Sequence, residues 1–165
     1  IMVNDQRLFT TNGHFLYMCG DTNIPLDDGL YYFSGVKSGA KEVTPERISD
    51  LPNYSFFDVF NFLDGYNLYN LRESLLSKRG VWGEVEVLVE DNYAMFIKDT
   101  PQCVINLEVL LNAIKHMKNT IVCLPDNFEE GILIRDRKTH YGAYLMPVHP
   151  SSIANLWRAH LGAEW

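Results

Sequence analysis

The spacing of apolar residues predicts an amphipathic helix in the C-terminal third of the chain. These residues recur every three or four positions, which places them on one helical face; they are Leu107, Leu110, Leu111, Ile114 and Met117. Asn106 precedes the run as a favoured N-cap, and Glu108 lies in the first turn, where the helix dipole favours an anion. Apolar runs at 120–124, 131–134 and 142–148, separated by turn residues, predict three antiparallel strands after the helix.

A similar order of elements is predicted earlier in the chain. Leucines at helical spacing predict a second helix over 68–79 with Asn67 as its cap, and residues 80–83 end it; the inward leucines are Leu68, Leu71, Leu75 and Leu76. Strict alternation over 84–90 predicts a strand, and a turn leads into another at 93–98. From residue 51 the order is helix, strands, helix, three strands, so the predicted fold class is α+β with two helices against curved antiparallel sheets.

The N-terminal part is predicted to consist of strands. Two β-prone runs, 7–11 and 14–19, are joined by Asn12-Gly13, a dipeptide typical of hairpin turns. The aromatic run 30–35 predicts a third strand. Residues 41–48 predict a fourth, and their Pro45 favours an edge position because proline donates no hydrogen bond to a neighbouring strand.

Composition and charge narrow the class of protein. The 165 residues are 47% hydrophobic and 21% charged, which is typical of a chain with a packed core. The net charge of −7 disfavours general nucleic-acid binding unless cations cluster on one face. Cys19, Cys103 and Cys123 have no paired spacing, which favours reduced thiols in a cytoplasmic protein. No apolar run approaches the roughly 20 residues of a membrane-spanning helix.

Catalytic and metal-binding motifs are not found in the sequence. The five histidines show neither HxxxH nor HExxH spacing, and no phosphate-binding glycine loop is present. The thiols have no recognisable base partner. We therefore predict that the protein is not an enzyme and needs no cofactor or metal.

Three short motifs, in order along the chain, resemble those of the bacterial β sliding clamp, the ring that holds a DNA polymerase on its template. They are TNGHFL at 11–16, LPNY at 51–54 and YLMPV at 144–148. The family has Thr-Asp-Gly-His-Arg-Leu at the first motif, so Asn12 and Phe15 depart from its pattern. The resemblance implies a reduced clamp-like protein, such as a phage would encode. It implies a partial clamp-like domain at 1–50, a complete one at 51–148, and a tail at 149–165 with the pattern of a short helix.

The resemblance also implies two binding sites. Clamps take a short peptide with apolar anchors between their second and third domains, and the matching positions here are Thr11, Gly13, His14, Leu16, Pro52, Phe57, Tyr144 and Met146. Clamp helices meet the DNA backbone without reading its sequence. The cations that fit this role on the two predicted helices are Arg72, Lys78, Arg79, Lys115 and Lys118. They fit solvated helix faces as well.

Three functions remain open at this point. The first is a processivity factor or scaffold that encircles DNA as a homo-oligomer and binds polymerase peptides. The second is a clamp-like peptide-binding module or decoy that modulates replication proteins without encircling DNA. The third is an enzyme or structural protein that is unrelated to clamps. None of them calls for a membrane partner.

Overall fold

A computed structural model of the chain describes residues 1–11, 15–20, 25–34, 44–51, 59–60, 64–127 and 129–149. The fold is α+β, with antiparallel strand pairs and two helices. The N-terminal strands are β1 (Met2–Asn4), β2 (Arg7–Thr11), β3 (Phe15–Gly20), β4 (Gly29–Ser34) and β5 (Thr44–Ser49). They are followed by β6 (Tyr66–Asn67), α1 (Leu71–Leu76), β7 (Arg79–Trp82), β8 (Val85–Glu90) and β9 (Tyr93–Lys98). The last elements are β10 (Thr100–Asn106), α2 (Leu107–Ile114), β11 (Thr120–Cys123), β12 (Ile132–Asp136) and β13 (Tyr141–Leu145).

The described strands form two sheets. The larger has nine strands in the order β5-β4-β1-β2-β3-β13-β12-β11-β6, and the smaller has four in the order β10-β9-β8-β7. Pro45 lies in β5 at the edge of the larger sheet, as predicted. The antiparallel pairing of β3 with β13 joins the N-terminal strands to the C-terminal ones. Whether the chain divides into domains at residue 50 stays a prediction.

One order of elements occurs twice after residue 64. The first unit is β6-α1-β7-β8-β9, and the second is β10-α2-β11-β12-β13. Each unit contains a strand, a helix and three further strands. The doubled order predicted from the apolar pattern is therefore confirmed.

The second helix follows its sequence pattern closely. The Asn106 side chain accepts a hydrogen bond from the Val109 amide at 3.1 Å, so the predicted N-cap is confirmed. Leu110 and Ile114 are buried in the main core, and Leu107 and Leu111 pack against it. This core includes residues of both sheets, among them Phe96 and Ile134. The helix thus buries the predicted stripe as far as Ile114, where it ends, and Met117 packs against the core from the turn that follows.

The first helix departs from its prediction. It spans Leu71–Leu76, not 68–79, and the chain after it turns through Lys78 in the left-handed region (φ 68°). Asn67 lies in β6, while Asn70 occupies the N-cap position and makes no side-chain capping bond. A helix of six residues buries only Leu71 and Leu75, and Leu76 is 64% exposed. The predicted cap and the inward position of Leu76 are therefore wrong.

Residues 80–83 also differ from the expected helix end. Most of them belong to β7, which pairs with β8. A Cβ at Gly80 would overlap the ring of Trp82. Trp82 is buried in the main core and donates from its indole nitrogen to the Tyr69 carbonyl at 2.8 Å. Burial of this indole stabilises β7, which begins at Arg79, the last residue of the helix that leucine spacing predicted.

A buried carboxylate connects two turns beside α2. Asp136, which is fully buried at the end of β12, accepts hydrogen bonds from the Lys118 amide at 3.2 Å and the Asn119 amide at 2.6 Å. It also accepts from the Thr139 amide at 2.8 Å and from the Thr139 hydroxyl. One side chain thereby holds the turn after α2 against the β12–β13 turn.

Candidate peptide-binding junction and basic groove

The junction of β3 with β13 brings together two segments that the clamp resemblance had assigned to peptide binding. Leu16 of β3 and Tyr144 of β13 are direct cross-strand partners. Leu16 is buried in a small apolar cluster with Phe9 and Phe60, and Tyr144 packs against this cluster. Leu16 and Tyr144 therefore contribute to one apolar surface on the same face of the larger sheet.

The surroundings of Tyr144 hold its side chain in place. Its hydroxyl accepts a hydrogen bond from the Gly131 amide at 3.1 Å. Phe60 lies against the backbone of Gly142, where an added Cβ would come within 2.7 Å of its ring. Phe60 was not assigned to the site from the sequence. It belongs to a run of phenylalanines at 56–62 without regular spacing, and such a run does not indicate which ring is buried.

Met146 and Thr11 have different positions at the junction. Met146 directly follows β13 and is 47% exposed, so its thioether is accessible to a partner. Thr11 ends β2, is exposed, and donates from its hydroxyl to the Phe15 carbonyl at 2.8 Å. This bond closes the β2–β3 connection. The remaining predicted peptide contacts, Gly13, His14, Pro52 and Phe57, lie outside the described residues.

A groove between the start of α1 and the end of α2 collects three of the five predicted DNA contacts. Its volume is about 250 Å³, and Arg72, Lys115 and Lys118 line it together with Glu73 and Thr120. All three cations are exposed. Their charges lie at one place on the surface, and Glu73 offsets part of them.

The other two predicted DNA contacts lie beyond the C-terminal end of α1. Lys78 is exposed in the turn that follows the helix. Arg79 belongs to β7 instead of the helix, and its guanidinium donates to the Glu86 carboxylate at 3.1 Å. The predicted helical positions of Lys78 and Arg79 are therefore wrong, as is that of Lys118, which follows the end of α2 at Ile114. A role for either residue in DNA binding stays a prediction.

Two edge strands of the described sheets expose apolar side chains. Around β7, the edge of the smaller sheet, the exposed residues are Tyr69, Leu76 and Val81. Near β5, the edge of the larger sheet, they are Tyr32 and Ile48. An edge strand has unpaired backbone groups on its outer side, so each of these edges can pair with another chain.

The charges around these two edges are balanced differently. Among the described residues near β5, the exposed acids are Asp27, Asp28, Glu46 and Asp50, and Arg47 pairs with Asp50 at 2.5 Å. Near β7, the cations Arg72, Lys78 and Arg79 are accompanied by Glu73, Glu84 and Glu86, and Arg79 pairs with Glu86 at 3.1 Å. The acidic β5 edge of one molecule therefore meets no net charge of the same sign at the β7 edge of another.

No protein-family model, curated protein or solved structure matches this chain. Within the described residues, no three or more His, Cys, Asp or Glu side chains are grouped so that they could hold a metal ion. No helix in the described part of the chain is long and apolar enough to cross a membrane.

Proposed function

We propose that this protein is a sliding-clamp-like replication factor that encircles DNA as an oligomer and binds a short peptide of a DNA polymerase. The observation that carries the proposal is the β3–β13 junction, where Leu16 and Tyr144 are cross-strand partners. They form an apolar surface with an accessible methionine, Met146, next to it. Methionine suits such a site because its flexible thioether adapts to different apolar anchors.

The basic groove supports the DNA part of the proposal. Arg72 of α1, Lys115 at the C-cap of α2 and Lys118 in the turn after α2 line one groove, although the protein as a whole carries a net charge of −7. Contacts to phosphate are electrostatic and independent of sequence. A ring that encloses DNA needs only weak contacts of this kind, because its topology prevents dissociation.

The two edge strands support association into a ring. Pairing β5 of one molecule with β7 of the next is a head-to-tail contact, and such contacts form a closed ring when the rotation between copies closes. The exposed apolar residues at both edges add burial to the backbone pairing.

The alternative is a clamp-like peptide-binding module that does not encircle DNA. The net charge of −7 and the presence of Glu73 in the basic groove favour it. Both functions use the same junction. They differ in the oligomeric state and in the affinity for DNA, and the three experiments below separate them.

Peptide binding is expected to depend on Met146. We expect a clamp-binding peptide from a polymerase C-terminus to bind the wild type, and Met146→Ala to weaken it about five- to tenfold, because loss of an apolar anchor costs about 1 kcal/mol or more. Fluorescence anisotropy with labelled peptide measures both affinities. Ile48→Ala, which removes an exposed apolar side chain elsewhere, is the control and should bind like the wild type. If Met146→Ala bound the peptide as tightly as the wild type, the junction would not be the peptide site.

DNA association is expected to depend on the basic groove. Replacing Arg72 and Lys115 with Ala should weaken binding to duplex DNA at low salt and flatten the plot of log affinity against log salt by about 2 units. Filter binding at several salt concentrations measures this slope. The matched control replaces Arg47 and Lys98, which also removes one arginine and one lysine but lies outside the groove. Identical slopes for the two double variants would contradict the groove assignment.

Oligomer formation is expected to depend on β7. Val81→Lys places a charge on this exposed edge and should lower the mass measured by size exclusion with light scattering, because edge charges oppose strand pairing. Thr100→Lys on β10, the opposite edge of the same sheet, is the control and should leave the mass unchanged. A monomeric wild type at tens of micromolar would refute the ring and leave the peptide-binding module.

A further inference from the structure

A second cavity lies on the other side of the larger sheet, between the strands and α2. Its volume is about 420 Å³. Strands β2, β3 and β13 form one wall, and α2 with the turn after it forms the other; the lining includes Leu8, Tyr17, Cys19, Ala113, His116 and Tyr141. Tyr17 packs against the main core, whereas its neighbour Leu16 belongs to the small cluster on the opposite face. The lining also includes Phe9 and Met18 of the small cluster, but not Leu16, Tyr144 or Met146, so the cavity is separate from the proposed peptide contacts.

The walls of the cavity are aromatic at one end. The rings of His116 and Tyr141 are 5.7 Å apart between centroids and inclined at 33°. The interaction with Cys19, together with burial, raises the pKa of Tyr141. As in any tyrosine, its phenol is protonated near neutral pH. Thr10 and Asn112 add a hydroxyl and an amide. None of the residues that line the cavity is Asp, Glu, Lys or Arg.

We propose that this cavity binds an uncharged aromatic ligand of about two ring systems. Its volume lies in the range typical of small-molecule sites, which combine apolar walls with a few polar groups. Aromatic rings pack against one another in tilted or offset arrangements, as His116 and Tyr141 already do. A charged ligand would lose its hydration with no lining carboxylate, ammonium or guanidinium side chain to pair with it, and the ammonium of Ile1, which also lines the cavity, already donates to the Tyr31 carbonyl at 3.1 Å. The proposal does not depend on the clamp-like function.

The first experiment compares two probes with the same ring system. N-phenyl-1-naphthylamine is uncharged, and 1-anilinonaphthalene-8-sulfonate carries one added sulfonate. We expect the uncharged probe to show saturable fluorescence at one site per chain, with at least tenfold higher affinity than the sulfonate. Equal affinities, or fluorescence that does not saturate, would overturn the proposal.

A substitution that fills the cavity tests whether the probe binds there. Ala113→Phe projects a ring from α2 into this space and should lower the affinity for N-phenyl-1-naphthylamine at least tenfold. Leu76→Ala and Ile48→Ala remove exposed apolar side chains elsewhere and should not change the affinity. Unchanged binding by a folded Ala113→Phe would overturn the assignment.

Cysteine alkylation tests the same site in the wild-type protein, so the result does not depend on the folding of a variant. Cys19 lines the cavity, and Cys123 lines a different one. Saturating N-phenyl-1-naphthylamine should slow iodoacetamide labelling of Cys19 at least tenfold and leave the labelling of Cys123 unchanged, as measured by peptide mass spectrometry. Cys103 should stay unlabelled throughout, because burial raises the pKa of its thiol to about 12.

Two outcomes of the alkylation experiment would refute the ligand site. One is equal labelling of Cys19 with and without the probe. The other is a Cys19 that resists labelling without the probe and reacts only after dilution of the protein. That second result would mean that another copy of the chain covers the cavity.

Discussion

Asp136→Asn is expected to lower the free energy of unfolding by about 3 kcal/mol, because hydrogen bonds to a buried charged group are strong and an unsatisfied partner is costly. Both carboxylate oxygens accept hydrogen bonds: Oδ1 from the Lys118 and Asn119 amides, and Oδ2 from Thr139. An asparagine side chain replaces one acceptor with an NH₂ group. That group would face an N–H donor, so at least one buried amide would lose its partner.

Urea denaturation followed by circular dichroism measures this loss. Asp126→Asn makes the same chemical change at an exposed position and should alter the free energy of unfolding by no more than about 0.5 kcal/mol. If the two variants were equally stable, the hydrogen bonds of Asp136 would not contribute as proposed.

The contribution of Asp136 should also depend on pH. Burial alone would raise the pKa of its carboxyl, but the hydrogen bonds from Thr139, Asn119 and Lys118 outweigh burial and lower it below 3.8. The ionised form is therefore the one that stabilises the fold. Its contribution is fully present above the unfolded pKa and is lost as pH falls through the lower folded pKa. The stability difference between wild type and Asp136→Asn should be constant from about pH 5 to pH 7 and shrink below about pH 4.

Leu110→Ala is expected to cost about 2–5 kcal/mol of stability, the range for removal of a fully buried leucine. Leu110 is 0% exposed in the main core, where it anchors α2. The lost side chain would leave a cavity beneath the helix that the surrounding residues fill only in part. Thermal and urea denaturation both measure the loss.

Leu76→Ala is the matched control for Leu110→Ala. The same side chain is removed, but Leu76 is 64% exposed on α1. At a protein concentration low enough to keep the chain monomeric, stability should change by about 0.5 kcal/mol or less. A loss that appears only at higher concentration would indicate that association through the β7 edge covers Leu76.

The proposals rest on separate surfaces, so their tests can fail independently. If the peptide does not bind, the β3–β13 junction is not a peptide site, and the proposed clamp-like function is refuted with it. A monomeric protein that binds peptide leaves only the peptide-binding module. The proposal that the cavity beneath α2 binds an aromatic ligand is tested only by the probe and alkylation experiments.

The sequence predicted only part of each candidate site. The clamp resemblance selected Leu16 and Tyr144, and the structure makes them cross-strand partners. It also selected five cations, of which Arg72, Lys115 and Lys118 share one groove. Apolar spacing cannot show which cations meet, because that depends on how α1 and α2 approach each other. The cavity beneath α2 had no sequence signal, since its lining comes from five separate segments.

Local chemistry by itself determined the elements whose signals lie within a few residues. The apolar stripe and the Asn106 cap specify α2 because helix spacing and capping are interactions between near neighbours. Strand β9 has the predicted bounds, Tyr93–Lys98, between residues that turn the chain.

Tertiary structure alone decided which distant segments meet. The pairing of β3 with β13 depends on backbone hydrogen bonds that look the same for any sequence, so a local pattern does not name the partner strand. Helix α1 ends at Leu76 although leucine spacing extends to residue 79, and Arg79 instead begins β7, whose Trp82 is buried in the main core. Burial of Asp136 depends on three amides and a hydroxyl that only the folded chain brings to it. In each case the deciding free energy comes from contacts between residues far apart in sequence, which outweigh local propensity.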